Sequence, residues 1–415
     1  MLYELHEFQK TITAPMVAWI HASQRLFSSP YSPLAYTPVS RHIAASSEFM
    51  ARLMRSYHKP EWGIHHVVID GKEVPVTIET VDEQPFCRLL HFRKQTGNPG
   101  QRVLIFAPLS GHHATLLRDT ARTMLRDFDV YLTEWIDARM VPLSEGPFHL
   151  DDYVEYCKYF IRLLGPGLST VSVCQPTVPV LAAISLLAQE RDPCVPSAVV
   201  MMGGPIDTRR SPTVVNELAI GRSHSWFEDK VIYRVPFNYP GFMRRVYPGF
   251  LQHLSFMAMN ADRHIQAHRQ FFNHLIIGDG DSAEAHRRFY DEYNAVLDMP
   301  AEYYLDTIRI VFQQFLLPKG QWEVRGTLVQ PAAIRNAALF TIEGELDDIS
   351  GNGQTEAAHG LCRSLPAEKR KHLLAKGVGH YGIFSGRKFR EMIYPQIRDF
   401  IRRWATQKRA VALVD

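Results

Sequence analysis

Apolar and polar positions follow two different periods along this chain, and each change of period marks an element. Between Leu2 and Leu26 the apolar residues Leu2, Leu5, Phe8, Ile12, Met16, Val17 and Ile20 recur near every 3.6 positions, so an amphipathic helix is expected, kinked at Pro15. Its apolar stripe has to be covered by the main domain, by a second subunit of a homodimer, or by an apolar surface outside the protein. A second helix is expected over 41–57, and the prolines of the intervening SSPYSPLAYTPVS exclude one there. From Gly63 the period falls to two: HHVVID and EVPVTIETV, joined through Gly71, are an expected hairpin.

After Gly100 continuous apolar runs alternate with amphipathic ones: VLIFAP, ATLLRDTARTMLRD, DVYLTEW, DDYVEYCKYFIRLLG, STVSVC, PTVPVLAAISLLAQE and SAVVMMGG. Strands apolar on both faces, each followed by a helix, describe an α/β domain with a mostly parallel central sheet flanked by helices. Cys157 falls on the stripe Val154, Cys157, Ile161 and Leu164 of one such helix, a core position. From Asp207 to Val329 the alternation gives way to a helical stretch rich in aromatic residues, Arg and His, and it resumes with AALFTIEG, HLLAKG and a final helix over 387–404. The expected organisation is an N-terminal helical arm (1–60), an α/β core (61–206 and 330–415) and a helical lid or cap inserted at 207–329.

Composition narrows the classes. With 46% hydrophobic and 21% charged residues in 415, disorder and fibrous repeats are excluded, and a net charge of +3 is too small for a nucleic-acid binder. Five cysteines without a CxxC pair argue against a disulfide framework and a thiolate metal site, and fit a reducing cytoplasm. Glu4, His6, Glu7 and Lys10 interrupt the place of an export signal, and the longest apolar run, 178–188, contains Pro179 and Ser185 and is too short for a membrane span.

Three positions carry the chemistry. Cys174 stands at the tip of the strand Thr170 to Val173, just before a helix whose first turn holds Pro176 and Pro179. A nucleophile on such a strand-to-helix turn projects above the sheet, beside amides able to stabilise an oxyanion. After the strand 338–342, the turn Glu343-Gly344-Glu345-Leu346-Asp347-Asp348 offers an acid, with Asp347 first and Asp348 in reserve. His380, between Gly379 and Tyr381-Gly382, offers a base whose ordinary pKa suits proton transfer near neutrality. Nucleophile, acid and base in that order are those of an α/β-hydrolase fold, with the oxyanion hole expected from the amides of Gln175 and of Leu109 or Ser110. His112 and His113 lack a third ligand and are expected to line the substrate pocket rather than hold a metal, and no cofactor is called for. His264 and His268, flanked by Arg263 and Arg269, are expected on a solvated face, and Asp281 with Glu284 as a capping box.

The motifs Cys174-Gln175-Pro176-Thr177-Val178-Pro179, Ala107-Pro108-Leu109-Ser110-Gly111-His112, Val141-Pro142-Leu143-Ser144-Glu145-Gly146 and Gly379-His380-Tyr381-Gly382 resemble those of the intracellular poly(3-hydroxybutyrate) (PHB) depolymerases. The resemblance spans nearly the whole chain. It implies a cytoplasmic enzyme on amorphous polyester granules, with Cys174 as nucleophile, Asp347 and His380 as its partners, and 3-hydroxybutyrate or its oligomers as products. The lid aromatics, Trp226 and Trp322 among them, and Tyr381 would then offer apolar surface to the polymer. Ser172 and Pro176 depart from the glycines of the general nucleophile turn. The same residues suit two other readings: an acyltransferase of the polyhydroxyalkanoate synthase type, or thiolysis with CoA as acceptor. A non-catalytic granule-coating protein is a third.

Overall fold

The computed structural model describes residues 2–97, 100–259 and 261–411. Nine strands form one sheet: β1 (His66–Ile69), β2 (Lys72–Gln84), β3 (Cys87–Lys94), β4 (Gln101–Phe106), β5 (Phe128–Trp135), β6 (Ser169–Val173), β7 (Ala198–Met202), β8 (Ala338–Gly344) and β9 (Arg370–Ala375). Their spatial order is β1-β2-β3-β5-β4-β6-β7-β8-β9, antiparallel as far as β5 and parallel from β5 to β9. This is the α/β-hydrolase order, opening on the expected hairpin, whose turn residues Asp70 and Gly71 have φ of +49° and +76°. Because β5 and β6 leave β4 on opposite sides, the crevice at the carboxyl ends of β4 and β6 is the place where such a sheet receives a ligand.

Strict alternation along the strands divides the apolar residues between two layers. Leu104 and Phe106 of β4, Val199 and Met201 of β7, and Leu339 of β8 pack with helices α4 (Leu150–Leu164) and α5 (Thr177–Gln189). Val103 and Ile105, Val200 and Met202, and Phe340 and Ile342 pack with α3 (Arg118–Met124) and the C-terminal helix Tyr394–Val411. Each such side chain contributes about 1.5–3 kcal/mol by leaving water, which is why both faces of the sheet must be covered. Helix α5 is buried continuously from Thr177 to Leu187, as its lack of a polar face requires. Cys157 of α4 is fully buried in the first layer.

Helix α1 continues through Pro15 from Leu2 to Ser28, and α2 follows at Ser40–Met54. Tyr3 and Ile20 are buried, with the Tyr3 hydroxyl donating to Asp298 at 2.5 Å. The N-terminal part of the stripe faces the other way: Leu5, Phe8 and Ile12 are 58–61% exposed, while its far end is covered at Ile20. Between β7 and β8 lie helices α6 (Val214–Gly221), α7 (His224–Val231), α8 (Gly249–Met259), α9 (Ala261–Ile277), α10 (Gly280–Tyr293) and α11 (Ala301–Thr307). His264 is not solvated as its arginine neighbours suggested: α9 packs on α10, and the ring lies buried between the hydroxyls of Tyr290 (2.8 Å) and Tyr293 (3.2 Å). The cap of α10 is Asp279, which accepts from the Ser282 amide at 3.1 Å, not the expected Asp281 and Glu284. No helix among the described residues is long and apolar enough to cross a membrane.

Candidate active site

At the end of β6 the chain turns into α5 through Cys174, whose φ of +68° lies in the left-handed region that side chains rarely adopt. Both sides of its peptide are held. The Cys174 amide donates to the Met202 carbonyl at 2.7 Å, and the Cys174 carbonyl accepts from the Thr177 amide at 3.2 Å and the Thr177 hydroxyl at 2.9 Å. Pro176 precedes α5 and Pro179 lies in its first turn, where a missing N–H leaves no helical bond unmade.

The space that Ser172 and Pro176 do not provide comes from the neighbouring strand. Gly203 has φ of +56°, and a Cβ there would lie 2.5 Å from Ile383 Cδ1, 3.3 Å from His380 Cε1 and 3.4 Å from Asp347 Oδ2. At Gly204 a Cβ would lie 1.8 Å from Thr177 Oγ1. Two glycines at the end of β7 therefore allow the turns after β6, β8 and β9 to meet.

His380 is buried and its Nδ1 donates to Asp347 Oδ2 at 2.8 Å. The other oxygen of Asp347 accepts from the amides of Ile349 (2.9 Å) and Ser350 (2.8 Å), which fixes the carboxylate. Burial pulls the imidazole pKa down, but the charge of Asp347, and Cys174 close enough to act on the ring, hold it well above the ordinary value. With Nδ1–H committed to Asp347, Nε2 is left to exchange a proton. Asp348, by contrast, is 43% exposed and lies 3.9 Å from Arg263.

A cavity of about 270 Å³ is lined by Cys174 and His380 together with Leu109, Phe256, Tyr303 and Phe312. Gln175, Ser110, His112 and Tyr381 line it too. The Tyr303 hydroxyl donates to the Leu109 carbonyl at 3.0 Å, and the Leu297 amide to the Gly111 carbonyl at 2.7 Å, so the loop after β4 is fixed from above. The amides of Leu109, Ser110 and Gln175 donate to no other group among the described residues. His112 stacks on Phe256 and donates from Nε2 to the Tyr293 carbonyl at 3.1 Å, and burial lowers its pKa to about 4, so it is neutral at pH 7.

Three expected lining residues lie elsewhere. His113 follows His112 in extended backbone and so points the opposite way, into a second cavity lined by Tyr3, Arg139 and Asp298. Trp322 is 1% exposed, packed in the layer that holds α4 and α5. Trp226 packs on Phe227 with Arg222 over its ring, and it is Phe227, the next residue on α7, that reaches the cavity. The sequence reading missed Gly203, Gly204, Tyr303 and Gln252. The Gln252 Nε2 donates to the carbonyls of Tyr247 (2.7 Å) and Leu297 (3.1 Å) behind the same loop. Adjacent glycines after an apolar strand were the available signal for the first two; nothing local marks the others.

Residues 203–405 match the protein family described as PHB de-polymerase C-terminus. No curated protein matches the chain in sequence. Among solved structures, similar ones are the monoacylglycerol lipase of Paleococcus ferrophilus (12% identity, 73% of this chain and 95% of that chain, TM-score 0.41) and a thermophilic esterase of Thermogutta terrifontis (11%, 83% and 97%, 0.39). A Mycobacterium tuberculosis protein shares 13% identity over 82% of this chain and 98% of its own, with a TM-score of 0.45.

Proposed function

Residues 203–405 match the PHB depolymerase family, and from that premise we propose that the chain hydrolyses the ester bonds of poly(3-hydroxybutyrate) with Cys174 as nucleophile, His380 as base and Asp347 as orienting acid. The observation that carries this reading is the buried 2.8 Å pair of Asp347 and His380 beside a cysteine on a left-handed strand-to-helix turn.

His380 Nε2 takes the Cys174 proton, and the sulfur attacks the ester carbonyl carbon. The oxyanion of the tetrahedral intermediate is met by the amides of Gln175 and of Leu109 or Ser110. On collapse the C–O bond breaks, and His380 returns the proton to the departing alkoxide, which leaves as the hydroxyl end of a polymer chain. A thioester remains on Cys174. Water, deprotonated by His380, then attacks it, releasing a 3-hydroxyacyl carboxylate and restoring the thiol. Residues 207–329 act as the lid, with Phe227, Phe256 and Tyr303 excluding water from the thioester. The protein works in the cytoplasm at the surface of amorphous granules.

The test is to incubate the purified protein and its Cys174→Ala variant with amorphous granules, with and without CoA, and to identify the products by mass. Free 3-hydroxybutyrate and its oligomers, absent with the variant, are expected. A 3-hydroxyacyl-CoA product formed only when CoA is present would replace hydrolysis by thiolysis, and an active Cys174→Ala would remove the proposed nucleophile.

A further inference from the structure

A left-handed φ at a residue with a side chain persists only where its surroundings over-determine it. At Cys174 one restraint comes from Thr177 at the start of α5, which holds the Cys174 carbonyl, and Thr177 is itself held from outside β6 and α5. That outer hold can be traced through two buried polar side chains that do not line the cavity, Glu343 and Thr355.

Glu343 lies near the end of β8 and is 2% exposed. Its Oε1 accepts from the amides of Thr355 (2.7 Å) and Glu356 (2.9 Å), and its Oε2 from the amide of Gly353 (2.8 Å). Three peptide donors replace the water a buried carboxylate loses, and they fix residues 353–356 as one turn. From that turn the hydroxyl of Thr355, itself fully buried, accepts from the Gly204 amide at 2.8 Å and donates to the Gly204 carbonyl at 3.0 Å. Both polar groups of Gly204 are thus held by one oxygen. Gly204 sits so close to Thr177 that no Cβ would fit, and the Thr177 hydroxyl donates to the Cys174 carbonyl. Gly203, the adjoining residue, packs against His380 and Asp347. A single clamp therefore bears on nucleophile, base and acid together.

We infer that Glu343 and Thr355 are positioning residues, which hold Gly203 and Gly204 against the Cys174 turn and so set the alignment of the sulfur with His380. The inference rests on the nucleophile assigned above. A small displacement of reacting groups is enough to cost roughly a hundredfold in rate. Substrate contacts are untouched, so the loss belongs in kcat and not in KM.

The test uses a soluble 3-hydroxybutyrate oligomer ester and the full-length protein, with Cys174→Ala measured alongside. Thr355→Val, which keeps the shape and removes the hydroxyl, is expected to lower kcat roughly 10- to 100-fold at unchanged KM. Thr355→Ser, which keeps the hydroxyl, is expected to restore it. Glu343→Gln supplies an independent arm, because its amide nitrogen cannot accept from the turn, and the same split is expected. Wild-type kcat in Thr355→Val, or in Glu343→Gln should Thr355→Val not fold, overturns the inference. Equal losses in the Val and Ser variants overturn it too, since the hydroxyl would not be the cause. Activity in Cys174→Ala would instead remove the nucleophile, and this inference with it.

Discussion

Asp347 and Asp348 are neighbours with the same side chain and opposite surroundings. The first has no exposed side-chain surface and shares its two oxygens between an imidazole and two amides, while the second reaches toward solvent and Arg263. Asp347→Asn should therefore lower kcat on a soluble ester roughly ten-thousand-fold, because the imidazole loses the group that selects its tautomer, whereas Asp348→Asn should leave most of the activity. A larger loss at 348 would reverse the two roles. That order of preference was legible in the sequence, because Asp347 completes a Gly-x-x-Asp turn after an apolar strand and Asp348 stands one place beyond it. Glu343 and Thr355 were not. Their neighbours in sequence are unremarkable in pattern, and Gly204, which Thr355 clamps, is 151 positions away. His113 and Trp322 failed for a related reason: residue type marks a side chain as able to bind, but only packing decides which cavity it faces.

Among the elements, α1 shows most clearly how far periodicity carries. The 3.6-residue repeat locates the helix and its apolar stripe, yet says nothing of what lies against it. In the structure the inward contacts come from Tyr3, His6 and Glu7, through Asp298, a ring stack on Phe250 and the Tyr239 hydroxyl. Leu5, Phe8 and Ile12 of the stripe are left exposed. If they dock on polymer, adsorption is driven by burial of carbon and not by charge, so binding to amorphous granules should persist as salt is raised, since screening weakens only the ionic part. Co-sedimentation with granules at low and high ionic strength measures this, and release by salt alone contradicts it. The pair α9 and α10 illustrates the converse, because a histidine between arginines reads as solvated until a second helix brings two tyrosine hydroxyls to it.

At the scale of the whole molecule, burial of neutral histidines gives stability a pH dependence. Burial lowers His112 to about 4, and burial with the charges of Lys59 and Arg139 lowers His113 to about 3. For both, the folded pKa lies below the unfolded value near 6.5, so the unfolded chain binds more protons in between. Their contribution is fully present above pH 6.5 and is lost as pH falls toward 4 and 3. His380 has the opposite sign, its raised pKa contributing below 6.5 and fading as pH rises through the folded value. Calorimetry of the wild type beside His113→Leu should show the variant losing less stability between pH 7 and pH 5 than the wild type does; identical pH dependence in the two would contradict the assignment. The sheet itself has a consequence for how the chain can be divided. The family-matched stretch 203–405 contains Asp347 and His380 but begins one residue after β7, and β8 pairs with β7 over Ala338 to Ile342. A gene fragment encoding only that stretch would produce a polypeptide with an open five-residue parallel edge, without Cys174, and with its share of each apolar layer uncovered. Expressed alone it should aggregate; expressed with a separate 1–202 fragment it should return to solution with esterase activity. A soluble, cooperatively melting 203–405 would mean that the stretch folds independently of the strands it borders.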